Sequence, residues 1–477
     1  MPVRVYNPAV TVTLTRLVNR VSGMAVPTTA AFKQIDLTPY LGTAGSVRTM
    51  KDINQAAGGF SVTFADRVNP EFGDTVYALC EPMDLVEIRA SRSPQNYGGQ
   101  TLPLVMRGFV STVERSESMG QDGLPVRTVT IAGQDSGKLL LINHIYFEIA
   151  IIQEKDYLSV FRLQAATGME IEETTVNDFM AQLISRVVNP KIQQLNVFAD
   201  AQIQPFILDA SVPDGTVTIQ MLAAQDMVSV WQLAENFADR PWNELFVEDA
   251  EEGPHLVFRP TPYKSLVDGS YIMNGAIDPG FVAVDIADVV ALTVMRSDAR
   301  VANFYWVPPT MSLLNSNASV TANALVTGLP LDFSYDNDTP VLYGVRKMEV
   351  QSNLLPTGKP INMLPQGEQA QQRGSVVDWY TARMLQLKLL NRDNSAFEEG
   401  GAVLLGNERL TVGQYLRLNR GTLTSEAYIT QVSHAFSPLQ VWTTSVHFIR
   451  GTGFWERNKI TSGAPYWMED RRGPYSA

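Results

Sequence analysis

The residues with the most chemical potential lie in two short segments, Pro241-Trp-Asn-Glu-Leu-Phe246 and Arg259-Pro-Thr-Pro-Tyr263. They bring a carboxylate, Glu244, close in sequence to a guanidinium, Arg259. Together these two groups would suit proton transfer at a catalytic centre, or they would form a structural ion pair between strands. The residue types allow both interpretations, so the elements that position the two segments have to decide.

The pattern between the two segments is that of a β-hairpin. Strands are predicted from Trp242 to Glu248 and from Leu256 to Arg259, and the polar residues 249–253 between them are typical of a turn. In such a hairpin the acid of the first segment faces the arginine of the second across the strands, and Trp242 can pack on Tyr263. We therefore interpret the acid and the arginine as a contact that fixes the strand register.

Histidine and cysteine are scarce in this chain. The histidines are far apart in the sequence and show no metal-binding spacing, and we interpret the last two as ordinary residues of a terminal sheet hairpin. They are His144, His255, His434 and His447. The single cysteine, Cys80, excludes an intramolecular disulfide framework, and we expect it to be a small buried hydrophobe on a strand.

The segment Gly133-Gln-Asp-Ser-Gly137-Lys138-Leu139 is similar to a phosphate-binding loop but lacks its spacing. That loop has four residues between its glycines and a Ser or Thr after the Lys, whereas this segment has three residues and a Leu. No G-x-S-x-G serine elbow is present. Paired carboxylates for glycoside cleavage stay open, because only their separation in space would identify them. The sequence therefore predicts no specific catalytic, cofactor-binding or metal-binding residue.

Length and composition indicate a multidomain globular protein. At 477 residues the chain should divide into about three or four domains, and 45% hydrophobic with 18% charged residues is typical of folded protein. The sequence has no apolar run long enough to span a bilayer and no secretory signal core at its start, so we expect cytoplasmic assembly without membrane insertion. The formal charge of −12 argues against wrapping nucleic acid, which needs a basic stripe, and is compatible with DNA that passes without binding.

Hydrophobic periodicity divides the chain into sheet-forming and helical parts. Residues 1–142 alternate with period two, and 104–132 are predicted as a hairpin with a long polar tip. Sheet returns over 414–450. The loop-rich segment 264–345 has no assignable pattern, and neither has the Gly- and Pro-rich tail after residue 451.

Three stretches carry helical spacing. The first, Val176–Val188, has Thr175 as its predicted N-cap and Pro190 as its predicted stop. The second covers 226–239 and ends just before a proline. The third, 366–394, is the longest, and its apolar stripe is more typical of a core or a subunit contact than of a cofactor site.

A set of segments in a fixed order resembles the central baseplate hub protein of contractile-tailed bacteriophages. The likeness extends from residue 60 to residue 455 or so and is shared in architecture with the amino-terminal parts of type VI secretion spike proteins, although no spike repeat follows residue 455. Each segment is weakly specific alone, and the set is more specific. The segments are Arg107-Gly-Phe-Val-Ser111, Val129-Thr-Ile-Ala-Gly-Gln-Asp135, Gly137-Lys138, Pro241-Trp-Asn-Glu-Leu-Phe246, Phe258-Arg-Pro-Thr-Pro-Tyr263, Val432-Ser-His434, Thr443-Thr444 and Arg450-Gly-Thr-Gly-Phe454.

The resemblance implies a mixed α+β, β-rich fold with two tail-tube-like β-barrel domains and with helical and loop-rich domains inserted or at the periphery. Three such chains would place six barrels in a ring. The implied domains are a first barrel over 1–142, a mostly helical peripheral domain over 143–240, a discontinuous second barrel over 241–265 and 400–455, an inserted mixed domain with a long helix over 266–399, and a C-terminal arm over 456–477.

The function implied by the resemblance is that of a non-enzymatic hub in a phage tail baseplate. As a homotrimer it would form a pseudo-sixfold ring that adapts the threefold spike to the sixfold tail tube and lines the DNA exit channel. Its location would be the virion, after assembly in the cytoplasm of the bacterial host. The implied partners are the tail spike protein, the tail tube or tube-initiator protein, the baseplate wedge proteins and the tape measure protein, with DNA passing non-specifically and no cofactor bound.

Two alternative functions stay open at the level of the sequence. A tail-associated enzyme that degrades peptidoglycan would use some of the abundant acidic residues. A distal tail hub of a non-contractile phage would share the two barrels and differ mainly in its neighbours.

Overall fold

A computed structural model gives the structure of the protein over most of its length. It describes residues 7–17, 34–43, 45–119, 123, 125–146, 174–199, 203–217, 227–266, 269–308, 339–354, 356, 366–420, 423–438 and 440–452. The fold is mixed α+β and rich in strands, and its largest element is a mainly antiparallel sheet of 13 strands. The β-rich mixed class predicted from the sequence is therefore confirmed.

The N-terminal module consists of the strands before residue 136. Alternating apolar residues bury one face of these strands, as in Gly59–Ala65, where Phe60, Val62 and Phe64 are buried and the residues between them are half-buried. These side chains share one core with the neighbouring strands. The strands are β1 (Ala9–Thr15), β2 (Gln34–Asp36), β3 (Ser46–Asp52), β4 (Gly59–Ala65), β5 (Leu85–Ser91), β6 (Leu104–Met119) and β7 (Pro125–Asp135).

The middle of the chain packs helices and short strands around a second core. As predicted, a helix forms over part of 226–239, at Val230–Asn236, with the Ser229 hydroxyl accepting the Gln232 amide at its start. The strands of this part are β8 (His144–Tyr146), β9 (Thr174–Thr175), β10 (Ile207–Ala210), β11 (Thr216–Val217), β12 (Met227–Ser229), β13 (Asn243–Ala250) and β14 (Gly253–Pro260).

The helix predicted to end at Pro190 does not end there. Its start is as predicted, since Thr175 accepts the Asp178 amide at 3.1 Å and the helix runs over Val176–Leu183. A π-helical turn over Ile184–Val188 then leads into a further helix, Asn189–Ala199. Pro190 follows directly on that π-helical turn, an irregularity at which a helix can accommodate a proline and continue. The predicted stop was wrong for that reason.

The C-terminal part contains a second module and an insertion. The second, C-terminal module consists of the strands within 281–295 and 398–451, which share their own core. The insertion between these two ranges carries two short strands and the predicted long helix, found at Gln366–Asn391. The strands are β15 (Phe281–Asp285), β16 (Val289–Met295), β17 (Phe304–Trp306), β18 (Lys347–Glu349), β19 (Glu398–Leu405), β20 (Tyr415–Arg420), β21 (Leu423–Phe436) and β22 (Thr443–Gly451).

Short helical segments complete the described fold. They occur mostly where the chain turns between strands. They are Val76–Leu79, Lys138–Ile142 and Thr339–Tyr343, with 3₁₀ turns at Thr38–Tyr40, Pro94–Tyr97 and Ile286–Asp288.

The two modules form one continuous sheet because β3 pairs antiparallel with β21. The paired residues run from Val47 opposite Phe436 to Asp52 opposite Gln431. The core of the N-terminal module also includes Trp442, which comes from the C-terminal module. The two modules are thus joined by hydrogen bonds and by shared apolar packing.

The expectation of two closed barrels needs correction. Among the described strands the order is β16-β19-β22-β21-β3-β4-β7-β6-β5-β1-β2, with β20 and β15 attached beside β21, and the ends of this order do not pair. The N-terminal module stays open because its end strand, β3, uses its outer edge to pair with β21 rather than with β2. Each module is therefore an open segment of sheet in the described chain.

The hairpin expected in the second barrel, within 241–265, lies in a different sheet. β13 and β14 form a three-stranded sheet with β10, to which β14 pairs in parallel. Leu245, Leu256 and Phe258 belong to the middle core, whereas Phe246 and Val257 belong to the core of the C-terminal module. Because successive residues of the hairpin face opposite ways, it fills the space between two cores instead of extending one sheet.

Candidate functional site at the seam between the modules

The two modules have the same strand connectivity. Apart from β2, an additional edge strand that pairs with β1, the N-terminal module uses β1, β3, β4, β5, β6 and β7 in chain order, and their spatial order is β1-β5-β6-β7-β4-β3. The C-terminal module uses β15, β16, β19, β20, β21 and β22, and its spatial order is β15-β20-β21-β22-β19-β16. When the six strands of each module are numbered by their order along the chain, the two modules have the same spatial order of strands. The first strands differ only in direction, since β1 is antiparallel to β5 and β15 is parallel to β20.

This repeat extends to single residues. The β6–β7 ladder shifts register between Val110 and Thr112, and the β21–β22 ladder shifts between Ile429 and Gln431. The amides before the two bulges also have matching partners. Val110 donates to the Asp84 carbonyl and Ile429 donates to the Gln414 carbonyl, both at 2.9 Å. The modules therefore share their backbone hydrogen bonding around an equivalent bulge.

A cross-strand ion pair occupies the same place in both modules with its charges exchanged. Glu87 on β5 faces Arg107 on β6, and the Arg107 Nε atom lies 2.7 Å from the carboxylate. Arg417 on β20 faces Glu426 on β21, with 3.3 Å between the charged atoms. Arg107 and Glu426 both lie three residues before the last residue ahead of their bulge. The contact is kept while the residues that make it are reversed.

The seam itself, where β3 meets β21, places Thr49 opposite His434. Thr49 is only 3% exposed with β21 beside it. The His434 Nδ1 atom lies 3.0 Å from the Thr444 hydroxyl, and its ring packs on Trp442 at 5.8 Å between centroids. Burial in this setting lowers the pKa of His434 to about 4. His434 is therefore a neutral packing residue of the seam.

The turn of the β13–β14 hairpin is held against the N-terminal module by a buried ion cluster. The Lys51 ammonium lies 3.1 Å from Asp249 of the hairpin and 3.2 Å from Asp135 of β7. The Ser136 hydroxyl donates to the other Asp249 oxygen at 2.9 Å. Burial, partly offset by Lys51, raises the pKa of Asp135 to about 6, and the two carboxylates outweigh burial and raise the pKa of Lys51. One cation thus balances two acids at this contact.

A second set of contacts fixes the same turn. Arg89 binds the Glu251 carboxylate through both terminal nitrogens, at 2.7 and 2.8 Å. Arg107, which already pairs with its own module's Glu87, donates to the Ala250 carbonyl at 3.2 Å. The polar turn predicted from the sequence is therefore a docking element for the N-terminal module.

The strands of the hairpin bind the C-terminal module through the predicted pair. Glu244 lies opposite Arg259, and the Arg259 Nε atom is 2.6 Å from the carboxylate, as the register-fixing interpretation requires. Arg259 also donates to the Gly413 carbonyl at 2.7 Å, and the Tyr428 hydroxyl donates to Glu244. Burial raises the pKa of Glu244 although Arg259 opposes this. The pair therefore links the hairpin to the neighbouring strands.

Trp242 lies in a cluster with the long helix. Its side chain is fully buried, and its indole Nε1 donates to the Arg383 carbonyl at 3.0 Å. Tyr380, Met384 and Leu387 of the helix belong to the same cluster, and Tyr263 packs against it from the side, so the predicted neighbourhood with Tyr263 is observed. The sequence did not indicate that the main partner of Trp242 is the helix.

The other residues considered for chemistry are separate in space. His144 is exposed, His255 pairs with Asp209 at 2.6 Å, and His447 contacts the Thr430 hydroxyl at 3.1 Å. Cys80 is buried as expected, but it follows a short helix rather than lying on a strand. Within the described ranges, no group of three or more His, Cys, Asp or Glu side chains is placed to hold a metal ion.

The segment compared with a phosphate-binding loop has structural contacts instead. Asp135 belongs to the ion cluster with Lys51, and its second oxygen accepts the Gly137 amide at 2.9 Å. The Lys138 ammonium donates to the Val110 carbonyl at 2.9 Å and to the Ser111 hydroxyl at 3.0 Å, and burial lowers the pKa of Lys138. This lysine therefore supports the bulge of β6. No helix in the described part of the chain has both the length and the apolar character needed to cross a membrane.

No protein-family model matches the chain, and no curated protein matches its sequence. A comparison with solved structures gives matches at low identity. The chain is similar to the tail protein from Neisseria meningitidis MC58, with 11% identity, 93% of this chain and 97% of that chain covered, and a TM-score of 0.48. It is also similar to the 43 kDa tail protein of prophage MuSo2 from Shewanella oneidensis, with 10% identity, the same coverages and a TM-score of 0.46. An E. coli type VI secretion component with structural similarity to T4 tail proteins has 9% identity, coverages of 85% and 73%, and a TM-score of 0.38. Over most of its length the chain is structurally similar to phage tail and baseplate proteins.

Proposed function

We propose that this protein is the structural hub of a phage tail baseplate. Three copies associate into a ring of six equivalent modules, which joins a threefold spike to a sixfold tail tube and surrounds the channel through which DNA leaves. In this function the chain is a mechanical adaptor and carries out no catalysis. Its partners are the spike, the tube or tube-initiator, the baseplate wedge and the tape measure proteins.

The observation that carries the proposal is the repeat of the two modules. They share strand order and a bulge, which follows Val110 in one module and Ile429 in the other. They also share a cross-strand ion pair, made by Arg107 in one module and by Glu426 in the other. A threefold assembly of a chain with one module would present three equivalent surfaces, whereas a chain with two alike modules presents six. The repeat therefore supports a role in which threefold and sixfold symmetry meet.

The contacts of the β13–β14 hairpin with both modules support the mechanical part of the proposal. The hairpin is bound to the N-terminal module by Lys51 and Arg89 and to the C-terminal module by Glu244 and Arg259. Contacts on both sides keep the two modules in one orientation, which a ring needs if its positions are to be equivalent.

Net charge supports passage of DNA through such a ring. The formal charge is −12 per chain, which gives 3 × −12 = −36 for three copies. A strongly acidic assembly repels phosphate, so DNA would pass without being held.

The strand pairing suggests a revised division of the chain within this proposal. The first module extends over residues 9–135, and the second is assembled from 281–295 and 398–451. The hairpin 243–260 and the helices before it form the connecting domain, and 296–397 are an insertion between β16 and β19. The proposed arm at 456–477 lies outside the described residues.

The proposal is tested by measuring the assembly of the purified full chain, alone and with its spike protein. We expect native mass spectrometry to give three copies and class-averaged electron micrographs to show an annulus with six similar lobes. A chain that stays monomeric at micromolar concentration with and without the spike would contradict the proposal, and so would a ring without sixfold pseudo-symmetry.

A further inference from the structure

We propose that β16 of one copy pairs antiparallel with β6 of a second copy of this chain, in the register that joins β3 to β21 within the chain. This inference rests on the proposed function, because it names the contact through which the copies form a ring. It goes further by specifying the two strands and the residues that face each other.

The pairing follows from the repeat. In the shared connectivity, β16 has the place in the C-terminal module that β3 has in the N-terminal module, and β6 has the place that β21 has. Inside the chain the joint between modules is β3 on β21. The counterpart of that joint is β16 on β6, and this pairing is not made within one copy among the described strands.

The free half of β6 matches the half of β21 that β3 covers. Up to its bulge β21 pairs with β20, and beyond the bulge its same edge pairs with β3 over Gln431–Phe436. Up to its own bulge β6 pairs with β5, and beyond it the residues from Thr112 to Met119 pair only with β7 among the described strands. That part of β6 is exposed, as shown by Met119 at 75%.

The outer edge of β16 is the second edge in the proposed contact. This strand pairs with β19 on one side, and no described strand covers its other side. Val290, Val294 and Met295 are exposed by 59%, 43% and 56%. The strand has no charge and no proline, the usual features that protect an edge from pairing. An apolar edge of this kind needs a covering strand.

The residue-by-residue match shows what the covering strand would do. Across the sheet, Thr49 on β3 lies two strands away from Gly133 on β7, which pairs with Val110 just before the bulge of β6. In the same way, Val294 on β16 lies two strands away from Phe448 on β22, which pairs with Ile429 just before the bulge of β21. Thr49 and Val294 are therefore equivalent. Thr49 is 3% exposed with β21 in place, so we expect Val294 to be buried to a similar degree when β6 of a second copy is in place.

Transferring the β3–β21 register gives the proposed contacts. Leu292 faces Glu117, Thr293 faces Ser116 and Val294 faces Arg115, and the pairing continues to Ser297 opposite Thr112. The equivalent of Lys51 in this register is Arg296, so both modules have a basic residue at this position. Each copy then offers one β6 edge and one β16 edge, which is a head-to-tail contact and closes into a ring when the rotation allows.

A disulfide between two copies tests the register. In a Cys80→Ala background, Ser116→Cys is combined with Thr293→Cys, because directly opposed residues in an antiparallel pair have Cα atoms close enough for a disulfide. Both positions are exposed, so the folded copy should tolerate the changes. We expect mild oxidation of the full chain to give covalently linked dimers and trimers on a non-reducing gel.

The matched control pair is Ser116→Cys with Ala291→Cys, which is displaced by two residues along the same face. We expect it to cross-link about tenfold less, because diagonal neighbours are about 7–8 Å apart. A trimer in native mass spectrometry without a cross-link from the first pair would overturn the proposed pairing and leave the hub function standing. Equal cross-linking by both pairs would overturn the register, and the absence of any oligomer would overturn both the pairing and the hub function.

A second variant tests the edge without introducing a disulfide. Val294→Lys places an ammonium where the pairing would bury it, and we expect it to raise the concentration needed for trimer formation about tenfold or more. The control is Ile277→Lys at an exposed apolar residue outside β16 (58%, against 43% for Val294), which should not change assembly. Circular dichroism and melting temperatures establish that both variants fold. Unchanged assembly of the folded Val294→Lys variant would overturn the pairing.

Discussion

Met83 and Gly413 have the same left-handed backbone, with φ of 74° and 77°, at equivalent points just before β5 and β20. Each donates its amide hydrogen to the carbonyl before a bulge, Met83 to Val110 at 2.8 Å and Gly413 to Ile429 at 3.0 Å. One residue carries a long side chain and the other has none. The conformation is therefore imposed by the shared sheet connection and not by the local sequence.

Gly413 adds a second constraint, which predicts a stability loss for Gly413→Ala. A Cβ atom there would lie 2.8 Å from the Phe246 ring and 3.0 Å from the Arg259 guanidinium. We expect a loss of about 2–4 kcal/mol, measured by urea unfolding, from strain and steric overlap combined. Gly73→Ala is the control, since its φ is 73° and no atom lies within 4 Å, and it should cost about 1 kcal/mol. Equal losses for the two variants would show that the contact with the hairpin does not matter.

The buried ion cluster predicts a large effect of Lys51→Met. The substitution keeps most of the side-chain volume but leaves Asp135 and Asp249 without their cation, and burial of unpaired carboxylates costs about 3–5 kcal/mol. Lys347→Met is the control, because Lys347 pairs with Glu349 at an exposed site, where loss of an ion pair costs about 0–1 kcal/mol. Chemical unfolding of both variants checks the difference, and similar small losses would contradict the role given to Lys51.

The lowered pKa of His434 predicts how the stability of the fold responds to acid. Burial lowers its folded-state pKa to about 4, below the value near 6.5 in the unfolded chain, so protons bind the unfolded state first. The resulting stability is complete above about pH 6.5 and is lost as the pH falls towards 4, by up to about 3 kcal/mol. His434→Gln retains a polar group for Thr444, and its free energy of unfolding should fall less than that of the native protein between pH 7 and pH 4.5.

Melting temperatures at several pH values check this prediction. The carboxyl of Asp135, with its pKa raised to about 6, acts in the opposite direction, since its contribution is present at low pH and lost as the pH rises through 6. It is common to both proteins and cancels in the comparison. Parallel curves for the native protein and His434→Gln would contradict the assigned environment.

The features that the sequence predicted are those that depend on local pattern. The alternation around Glu244 and Arg259 predicted their pairing, and Thr175 was predicted as a cap, because strand and helix periods place these residues without knowledge of the rest of the fold. The cluster of Lys51, Asp135 and Asp249 was not predicted, since the residues are distant in sequence and each is ordinary alone. Its only signal was the turn after β13, which is unusually acidic for a hairpin tip.

The repeat of the two modules was expected only from a family resemblance, and the residues explain why it is not visible in the amino-acid sequence. Glu87 and Arg107 of the N-terminal module correspond to Arg417 and Glu426 of the C-terminal module, so the same contact is made with the acidic and basic residues exchanged. Backbone hydrogen bonds are kept because an unpaired buried amide is costly, whereas side chains can be exchanged when their partners change with them. Sequence comparison of the two modules therefore loses a relationship that strand order retains.

Trp242 connects the hairpin to the insertion, and its removal should loosen that connection. Trp242→Ala removes a fully buried indole and leaves the Arg383 carbonyl without its donor, so we expect a loss of about 3–5 kcal/mol. Trp242→Phe keeps much of the volume but not the hydrogen bond and should cost about 1–3 kcal/mol.

The location of the loss separates a core role from a functional one. Tyr380, Met384 and Leu387 pack in the same cluster, so amide hydrogen exchange should rise in the long helix before it rises in β3 or β21 of the seam. Native mass spectrometry of the same variant should still show the full oligomer if the modules alone make the ring. An unchanged melting temperature with altered assembly would mean that Trp242 acts at a subunit contact, because a residue that stabilises the fold cannot be removed without lowering the unfolding transition.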